Sequence, residues 1–475
     1  MNRRTLMGGA LSSVATLSMA SKAVGSIRPV QPNIIFIMAD DLGYADLSCY
    51  GRREYQTPAI DQLAAKGMRL TSAYANSPVC SATRVALITG RYQYRLRAGL
   101  EEPLAPGSVF GLPGEHPTLP SILRNAGYRT SLVGKWHMGD LPNYGPLQSG
   151  YDDFWGIRGG GVDYFSHSII GKADLWDNDQ PVEQVGYLTD LLGQRAIEVI
   201  ERQRPGSRPF FLSLHFTAPH WPWEGPDDIA TSNRLKDDKR LLALAQFDHG
   251  DMATYAAMVV RMDYQIGRVL EALERKGLAE NTIVVFTSDN GGERFSNVWP
   301  FTGRKGELLE GGIRVPAVVR WPAEIGAGTT TDQVCMSMDW LPTLLGAARV
   351  PTPGNFKADG VDIMPSLRIP GRTTDRDVYW RYLNLDQQAY RSGRLKYLKI
   401  LDNSFLFDVV SDPLERANLK DRRPEDFARL AASYQAWDRT MLPLDPKAFT
   451  HGFSGGDLAD HFGIPRSGPP HSSPQ

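Results

Sequence analysis

Cysteine is scarce in this chain. Three Cys in 475 residues, Cys49, Cys80 and Cys335, cannot build a disulfide scaffold, and the odd count leaves a thiol to explain. Net charge is nearly absent as well. Lys and Arg number 52 against 53 Asp and Glu, a balance of −1, which removes the basic excess that nucleic-acid binding requires. No run reaches the roughly 18 uninterrupted apolar residues of a membrane-spanning helix. Internal repeats are missing, and 42% hydrophobic with 22% charged residues is ordinary globular composition. These features exclude disordered, collagen-like and coiled-coil proteins, and no membrane-spanning helix is expected. What remains is a chain long enough to bury a large core, with 46 Gly and 33 Pro to shape its loops.

The N-terminus has its own pattern. Arg3 and Arg4 precede an apolar run from Leu6 to Ala20 and a Ser21-Lys22-Ala23 exit. A basic start, an apolar centre and small residues read as a secretory signal over residues 1–23. The paired arginines are of the twin-arginine kind, a route for folded cargo. The expected location is periplasmic or secreted. No cysteine stands near the cleavage site, so no lipid anchor is expected.

Further along, Asn33 to Met38 is a continuous apolar run, the mark of a strand buried on both faces. Thr130–Val133, Pro209–Phe216, Thr282–Phe286 and Val315–Arg320 read the same way. Between them lie helical patterns at Thr57–Lys66, Thr118–Ala126, Leu188–Ile200 and Tyr255–Leu273. This alternation predicts an α/β fold with a large, mostly parallel sheet flanked by helices, over residues 30–370. Four short antiparallel strands and a helix are expected over 371–445, as a smaller α+β subdomain. The Gly-, Pro-, Ser- and His-rich stretch 446–475 reads as a loose tail.

Several strands run straight into chemistry-bearing residues, and in such sheets ligands sit outside the carboxyl ends of the strands. Asp40-Asp41 and Asp289-Asn290 follow two of them. Each pair alone could simply cap a turn. Together they offer four oxygen-bearing side chains, suited to Ca²⁺ or Mg²⁺ rather than a soft metal. Cys80 opens a helical stretch that ends at Gly90, with Arg84 one turn along. A helix N-terminus favours an anion, so Cys80 reads as an activated cysteine, an anion site or a buried structural thiol.

Here the residues resemble a family. Cys80-Ser81-Ala82-Thr83-Arg84 resembles the Cys-x-Pro/Ala-x-Arg signature of the type I sulfatases. Asn33–Gly43 looks like their first strand and metal turn, and Gly134-Lys135-Trp136-His137-Met138-Gly139 like their second signature, with Met where Leu is usual. Ala218-Pro219-His220, Ser288–Gly292, Gly303–Gly306, Glu310–Pro316, Leu406–Asp408 and Asp412–Leu419 are also similar. The resemblance spans about residues 30–440 and implies the alkaline-phosphatase-like fold.

It also implies a mechanism. Cys80 is expected to be oxidised to Cα-formylglycine by a maturation enzyme, which accounts for the odd thiol. The hydrated aldehyde would attack sulfur with one hydroxyl and expel sulfate with the other. Asp40, Asp41, Asp289, Asn290 and modified Cys80 would hold one divalent cation, usually Ca²⁺ in this family, with Mg²⁺ possible. Arg84 would steady the acids. Lys135, Lys305 and His220 would contact sulfate oxygens, and His220 or Lys305 would protonate the leaving oxygen. His137 would be the base for elimination. The resemblance also implies a sulfate-binding serine near Gly161, and this chain lacks it, so that contact is not expected here. The expected substrate is a sulfated carbohydrate or aryl sulfate, with Trp221 and Trp223 available to stack on a sugar and His167 on the rim. The alternatives are a phosphonate monoester or phosphodiester hydrolase of the same superfamily, an inactive exported binding protein, and a Cys-His hydrolase using Cys80 as thiolate.

Overall fold

The computed structural model describes residues 31–204, 206–235 and 250–452. The expected signal segment and residues 453–475 of the expected tail lie outside the described residues. Five strands form the middle of a ten-stranded sheet: β1 (Asn33–Ala39), β2 (Arg129–Gly134), β3 (Phe210–His215), β4 (Thr282–Ser288) and β5 (Ala317–Arg320), in the order β5-β4-β1-β3-β2. The first four are mutually parallel and β5 is antiparallel to β4. Short strands extend both edges, Met68–Leu70 and Thr329–Thr331 on one side and Asp153–Gly156, Trp176–Asp177 and Gln180–Pro181 on the other. Successive side chains of a strand point to opposite faces. In β1, Ile34, Phe36 and Met38 enter one core and Ile35, Ile37 and Ala39 the other. Both faces are apolar because both are covered.

Helices supply the covers. On one face lies α1 (Cys80–Thr89), with Val85, Leu87 and Ile88 in the core. On the other lie α2 (Leu188–Glu201) and α3 (Met252–Arg275). The Asp251 side chain caps α3 by accepting from Thr254 N–H at 2.7 Å. Its inward residues Tyr255, Met258, Val259, Met262, Ile266, Val269 and Leu273 recur at helical spacing.

A second sheet of four antiparallel strands, Asp377–Tyr382, Gln387–Ser392, Leu395–Ile400 and Asn403–Asp408, follows. One face presses Val378, Trp380, Ala389 and Leu398 against Val79, Ala82 and Ala86. The helix Pro424–Asp438 covers the other face through Leu430 and Tyr434. The helix α1 is thereby caught between two sheets, and all ten of its residues are buried. This is the expected architecture, a large mostly parallel sheet with helices plus a small C-terminal antiparallel sheet.

The chain just past residue 446 is not loose. Glu102 N–H donates to Phe449 O at 2.8 Å and His451 N–H to Glu102 O at 2.6 Å. Tyr382 OH donates to His451 O at 2.6 Å. Backbone pairing pins the segment where composition suggested freedom. Among the described residues, no helix is long and apolar enough to cross a membrane.

A buried ionic network ties the small sheet to the large one. Lys396 Nζ lies 3.0 Å from Glu310 Oε1 and 2.9 Å from Glu415 Oε1. Arg314 reaches Glu310 at 3.1 Å, and Tyr74 OH donates to it at 2.6 Å. Burial alone would raise Glu310, but Lys396, Arg314 and Arg391 outweigh it and hold the carboxyl at about 2. Removing one partner of a buried pair leaves uncompensated charge, at a cost of roughly 3–5 kcal/mol. Lys396→Met is expected to lower the stability by that order in a urea melt. An unchanged midpoint would show that this network does not join the sheets.

Candidate active site

Strand register assembles the site. Met38 lies beside His215, His215 beside Gly134, and Ala39 beside Ser288. The carboxyl ends of β1, β2, β3 and β4 are therefore level to within a residue. Asp40, Lys135 and Asp289, the next residues out, step off one edge together. Their backbones extend the ladder: Lys135 N–H donates to His215 O at 2.9 Å and Asp289 N–H to Ala39 O at 3.2 Å. Asp41 then turns with φ 62° and His137 with φ 56°. The left-handed region is unfavourable for residues with a Cβ, and strain of this kind concentrates at functional sites.

Three carboxylates meet three cations there, all buried. Arg84, projecting from α1, donates to Asp289 Oδ2 through Nε at 3.1 Å and NH2 at 2.8 Å, and NH2 lies 3.7 Å from Asp40. Lys135 Nζ donates to Asp40 Oδ2 at 2.5 Å. Lys305 Nζ donates to Asp41 Oδ2 at 2.6 Å. Asn290 Nδ2 donates to Asp41 Oδ1 at 2.7 Å. The two adjacent acids are not alike. Burial and the Asp289 charge push Asp40 well above the usual carboxylate range. Burial would raise Asp41 too, but Lys305 and His220 hold it well below. Two acceptors in the cluster, Asp40 Oδ1 and Asn290 Oδ1, have no donor. Carboxylate oxygens of Asp40, Asp41 and Asp289 lie within 4.8 Å of one another. An all-oxygen set with orphaned acceptors fits a hard divalent cation.

Cys80 begins α1, and ligand atoms of Cys80, Asp40 and His220 also lie within 4.8 Å of one another. Burial pushes the thiol up to about 11 despite Lys135 and Lys305. A protonated thiol is the reverse of what a Cys-His hydrolase needs. Both site histidines are held neutral, His137 by burial and Lys135, His220 by burial and Lys305. The His137 Nε2–H donates to Leu104 O at 3.0 Å, which leaves Nδ1 bare and without a partner. The His220 Nδ1–H donates to Trp221 O at 2.6 Å, and its bare Nε2 lies 3.6 Å from Asp41. Burial would lower Lys305, but Asp41 and Glu293 carry it well above its ordinary value.

The Sulfatase family pattern matches residues 32–350, more than half of the chain. The chain belongs to the sulfatase family. The pattern of the N-sulphoglucosamine sulphohydrolase C-terminal region matches residues 304–433. N-acetylgalactosamine-6-sulfatase of Canis lupus familiaris is 32% identical over 383 residues, 75% of this chain and 69% of the relative. Steryl-sulfatase of Mus musculus is 31% identical over 462 residues, covering 78% and 70%. The solved structure of Ps i-CgsB in complex with k-i-k-neocarrahexaose is similar with a TM-score of 0.77 and 30% identity, over 90% of this chain and 96% of that one. The reaction is sulfate ester hydrolysis, and the chain is an enzyme rather than an inactive binding protein.

In this sulfatase the residues singled out from sequence, Asp40, Asp41, Cys80, Arg84, Lys135, His137, His220, Asp289, Asn290 and Lys305, are all buried. Both lysines point at carboxylates. Two expectations are corrected. His167 is buried and its Nε2–H donates to Gly186 O at 3.1 Å, so it does not form a rim. Trp223 is core, edge-on to Phe295 at 4.9 Å, whereas half-buried Trp221 lies 4.6 Å from the His220 ring. Sequence reasoning passed over Glu293, whose carboxylate lies 3.7 Å from Lys305. Its position directly after the Asp289–Gly292 turn was the available signal.

Gly160 and Gly161 also emerge only in three dimensions. A Cβ on Gly160 would lie 2.7 Å from His137 Cε1, and one on Gly161 3.1 Å from His220 Cε1. The imidazoles rest on bare backbone. Gly160→Ala is expected to displace His137 and lower kcat about tenfold or more, with little change in melting temperature. Wild-type kcat in that variant would show that the contact does not position the ring.

Proposed function

We propose that this sulfatase acts through Cys80 oxidised to Cα-formylglycine, beside one divalent cation, Ca²⁺ or Mg²⁺, held by Asp40, Asp41, Asp289, Asn290 and residue 80. The observation that carries the cation is the pair of orphaned buried acceptors, Asp40 Oδ1 and Asn290 Oδ1, inside a cluster of acids. A cation bound there supplies Lewis acidity toward a sulfate oxygen. Residue 80, oxidised and hydrated, supplies one hydroxyl to attack sulfur and another to release sulfate.

The other roles follow from charge and protonation. Arg84 holds Asp289 and Asp40 in place. Lys135 and Lys305 offer positive charge to the sulfate oxygens, where negative charge concentrates in the transition state. Lys305 carries a proton in the free site and delivers one to the leaving oxygen; His220, neutral there with Nε2 bare, can do so only after it gains a proton. His137, with Nδ1 bare, takes the proton in the elimination.

We assign the substrate to sulfated carbohydrates. Trp221 beside His220 offers a ring on which a sugar can stack. Ps i-CgsB was solved with a neocarrahexaose, and N-acetylgalactosamine-6-sulfatase is named for a sulfated sugar. The twin-arginine-like pattern of residues 1–23 supports a location in the periplasm or outside the cell, after maturation by a formylglycine-generating enzyme. The catalytic domain is residues 30–370 and the antiparallel-sheet subdomain 371–445.

Peptide mass spectrometry of fully active enzyme should find the aldehyde at residue 80. Cys80→Ala should lose aryl sulfate turnover by about 1,000-fold or more while remaining folded. Only unmodified cysteine in a fully active preparation contradicts the assignment.

A further inference from the structure

Two buried carboxyl groups, Asp163 and Glu224, stand beside the site without a part in the chemistry above. They lie on the two segments that meet at His220. Asp163 Oδ1 accepts from Phe165 N–H at 3.0 Å, Ser166 N–H at 2.7 Å and Ser232 Oγ at 2.7 Å. Glu224 Oε2 accepts from Tyr164 N–H at 2.9 Å. The remaining oxygens, Asp163 Oδ2 and Glu224 Oε1, are buried without a hydrogen-bond partner, and the two carboxyl groups are neighbours, because the N–H that Glu224 accepts belongs to Tyr164, the residue after Asp163. Ionised carboxylates only accept, so a single proton shared by the two orphaned oxygens would satisfy both. Three donors already satisfy Asp163 Oδ1 and one satisfies Glu224 Oε2, which leaves the proton on Glu224.

The connection to His220 is short. Tyr164, next to Asp163 in the chain and bonded to Glu224 through its N–H, donates its OH to His220 O at 2.9 Å. Its ring stacks on Tyr187 at 5.3 Å, and Tyr187 OH donates to Glu224 O at 2.7 Å. Gly161 abuts the His220 ring. The loop Gly160–Ser166 thus touches His220 at its ring and its carbonyl, and the carboxyl pair fastens that loop to the chain four residues beyond His220.

We propose that Asp163 and Glu224 share one proton, and that this pair is the positioning device that keeps His220 in register with the sulfate-cleaving site. The proposal rests on the role given to His220 above.

The surroundings favour a shared proton. Burial, then the Asp163 charge, raise Glu224 to about 9. Asp228, which accepts from Gly225 N–H at 2.7 Å, adds negative charge. The other titratable groups facing the pair are His167, Tyr164 and Tyr187. Asp190, paired with Arg261 at 2.5 Å, faces Tyr187 from the helices, and Arg294 lies over the Trp223 ring at 5.0 Å. A carboxyl whose folded pKa is raised favours the fold while protonated. That contribution is full below the ordinary carboxyl range and is lost as pH rises through about 9. Above it the two charges repel, the loop and the His220 segment separate, and the imidazole loses its place.

The test compares wild type, Glu224→Gln and Glu224→Ala from pH 6 to 10.5, reading 4-nitrophenyl sulfate turnover and the infrared carboxyl band. The Gln amide donates permanently to Asp163 and still accepts from Tyr164. Glu224→Gln is expected to keep most turnover at pH 7 and to lose the fall in kcat near pH 9. Glu224→Ala is expected to lower kcat about tenfold or more with KM little changed. The wild-type minus Gln infrared difference at pH 7 should contain the C=O stretch of a protonated carboxyl group. An alkaline fall in Glu224→Gln identical to wild type overturns the proposal, as does absence of that band. The band reads the proton whatever the substrate and needs no alanine variant. Its absence sinks the pair alone, whereas full activity in His220→Ala sinks the role of His220 alone.

Discussion

An anionic ester has to be bound where three carboxylates already stand. Asp40, Asp41 and Asp289 crowd the ends of two parallel strands, and Arg84, Lys135 and Lys305 answer them one for one. That balance leaves nothing over for a sulfate group. It also leaves Asp40 strongly raised and two acceptors without donors. The proposed hard divalent cation would meet both needs: it would satisfy the orphaned oxygens and turn the site net positive. The lysines would then be free to serve sulfate oxygens, as proposed. In a buried site such a cluster is worth far more, in either direction, than it would be in water.

The fold exists to hold that cluster level. Parallel pairing of β1 with β3 and β4 fixes which residues leave the sheet together. The helix α1 brings Cys80 and Arg84 to the same edge, and the second sheet presses it there from behind. Polar residues of α1 are satisfied within the protein. Leu104 N–H donates to Ser81 Oγ at 2.8 Å, and the Thr83 hydroxyl bonds to Ser77. The loop that carries Leu104 also carries the carbonyl that fixes the His137 tautomer. One short segment therefore serves both the helix of Cys80 and the ring of His137.

Much of this was legible. Apolar runs that stop at Asp40 and Asp289 marked buried strands and their chemical ends, and Gly90, with φ 65°, ends α1 where its residue type suggested. Register was not legible, because nothing in the run 33–39 says that Met38 lies beside His215. Trp223 and Trp221 look alike in a Pro-rich loop, yet one is core and one lies at the site. The proposed pairing of Asp163 with Glu224, 61 positions along, left no trace in local pattern. Strands of two residues, such as Trp176–Asp177, are too short for any period to show. The segment 446–452 looked loose because its hold is backbone pairing with Glu102, which side-chain composition does not report.

The central claim is that one cation completes the acid cluster. Elemental analysis of purified active enzyme, repeated after prolonged chelation with the melting temperature and turnover followed together, tests it most directly. The account predicts one divalent ion per chain, loss of both stability and turnover on chelation, and recovery of both with Ca²⁺ or Mg²⁺. A fully active enzyme that holds no stoichiometric divalent ion and is unmoved by chelation would contradict it.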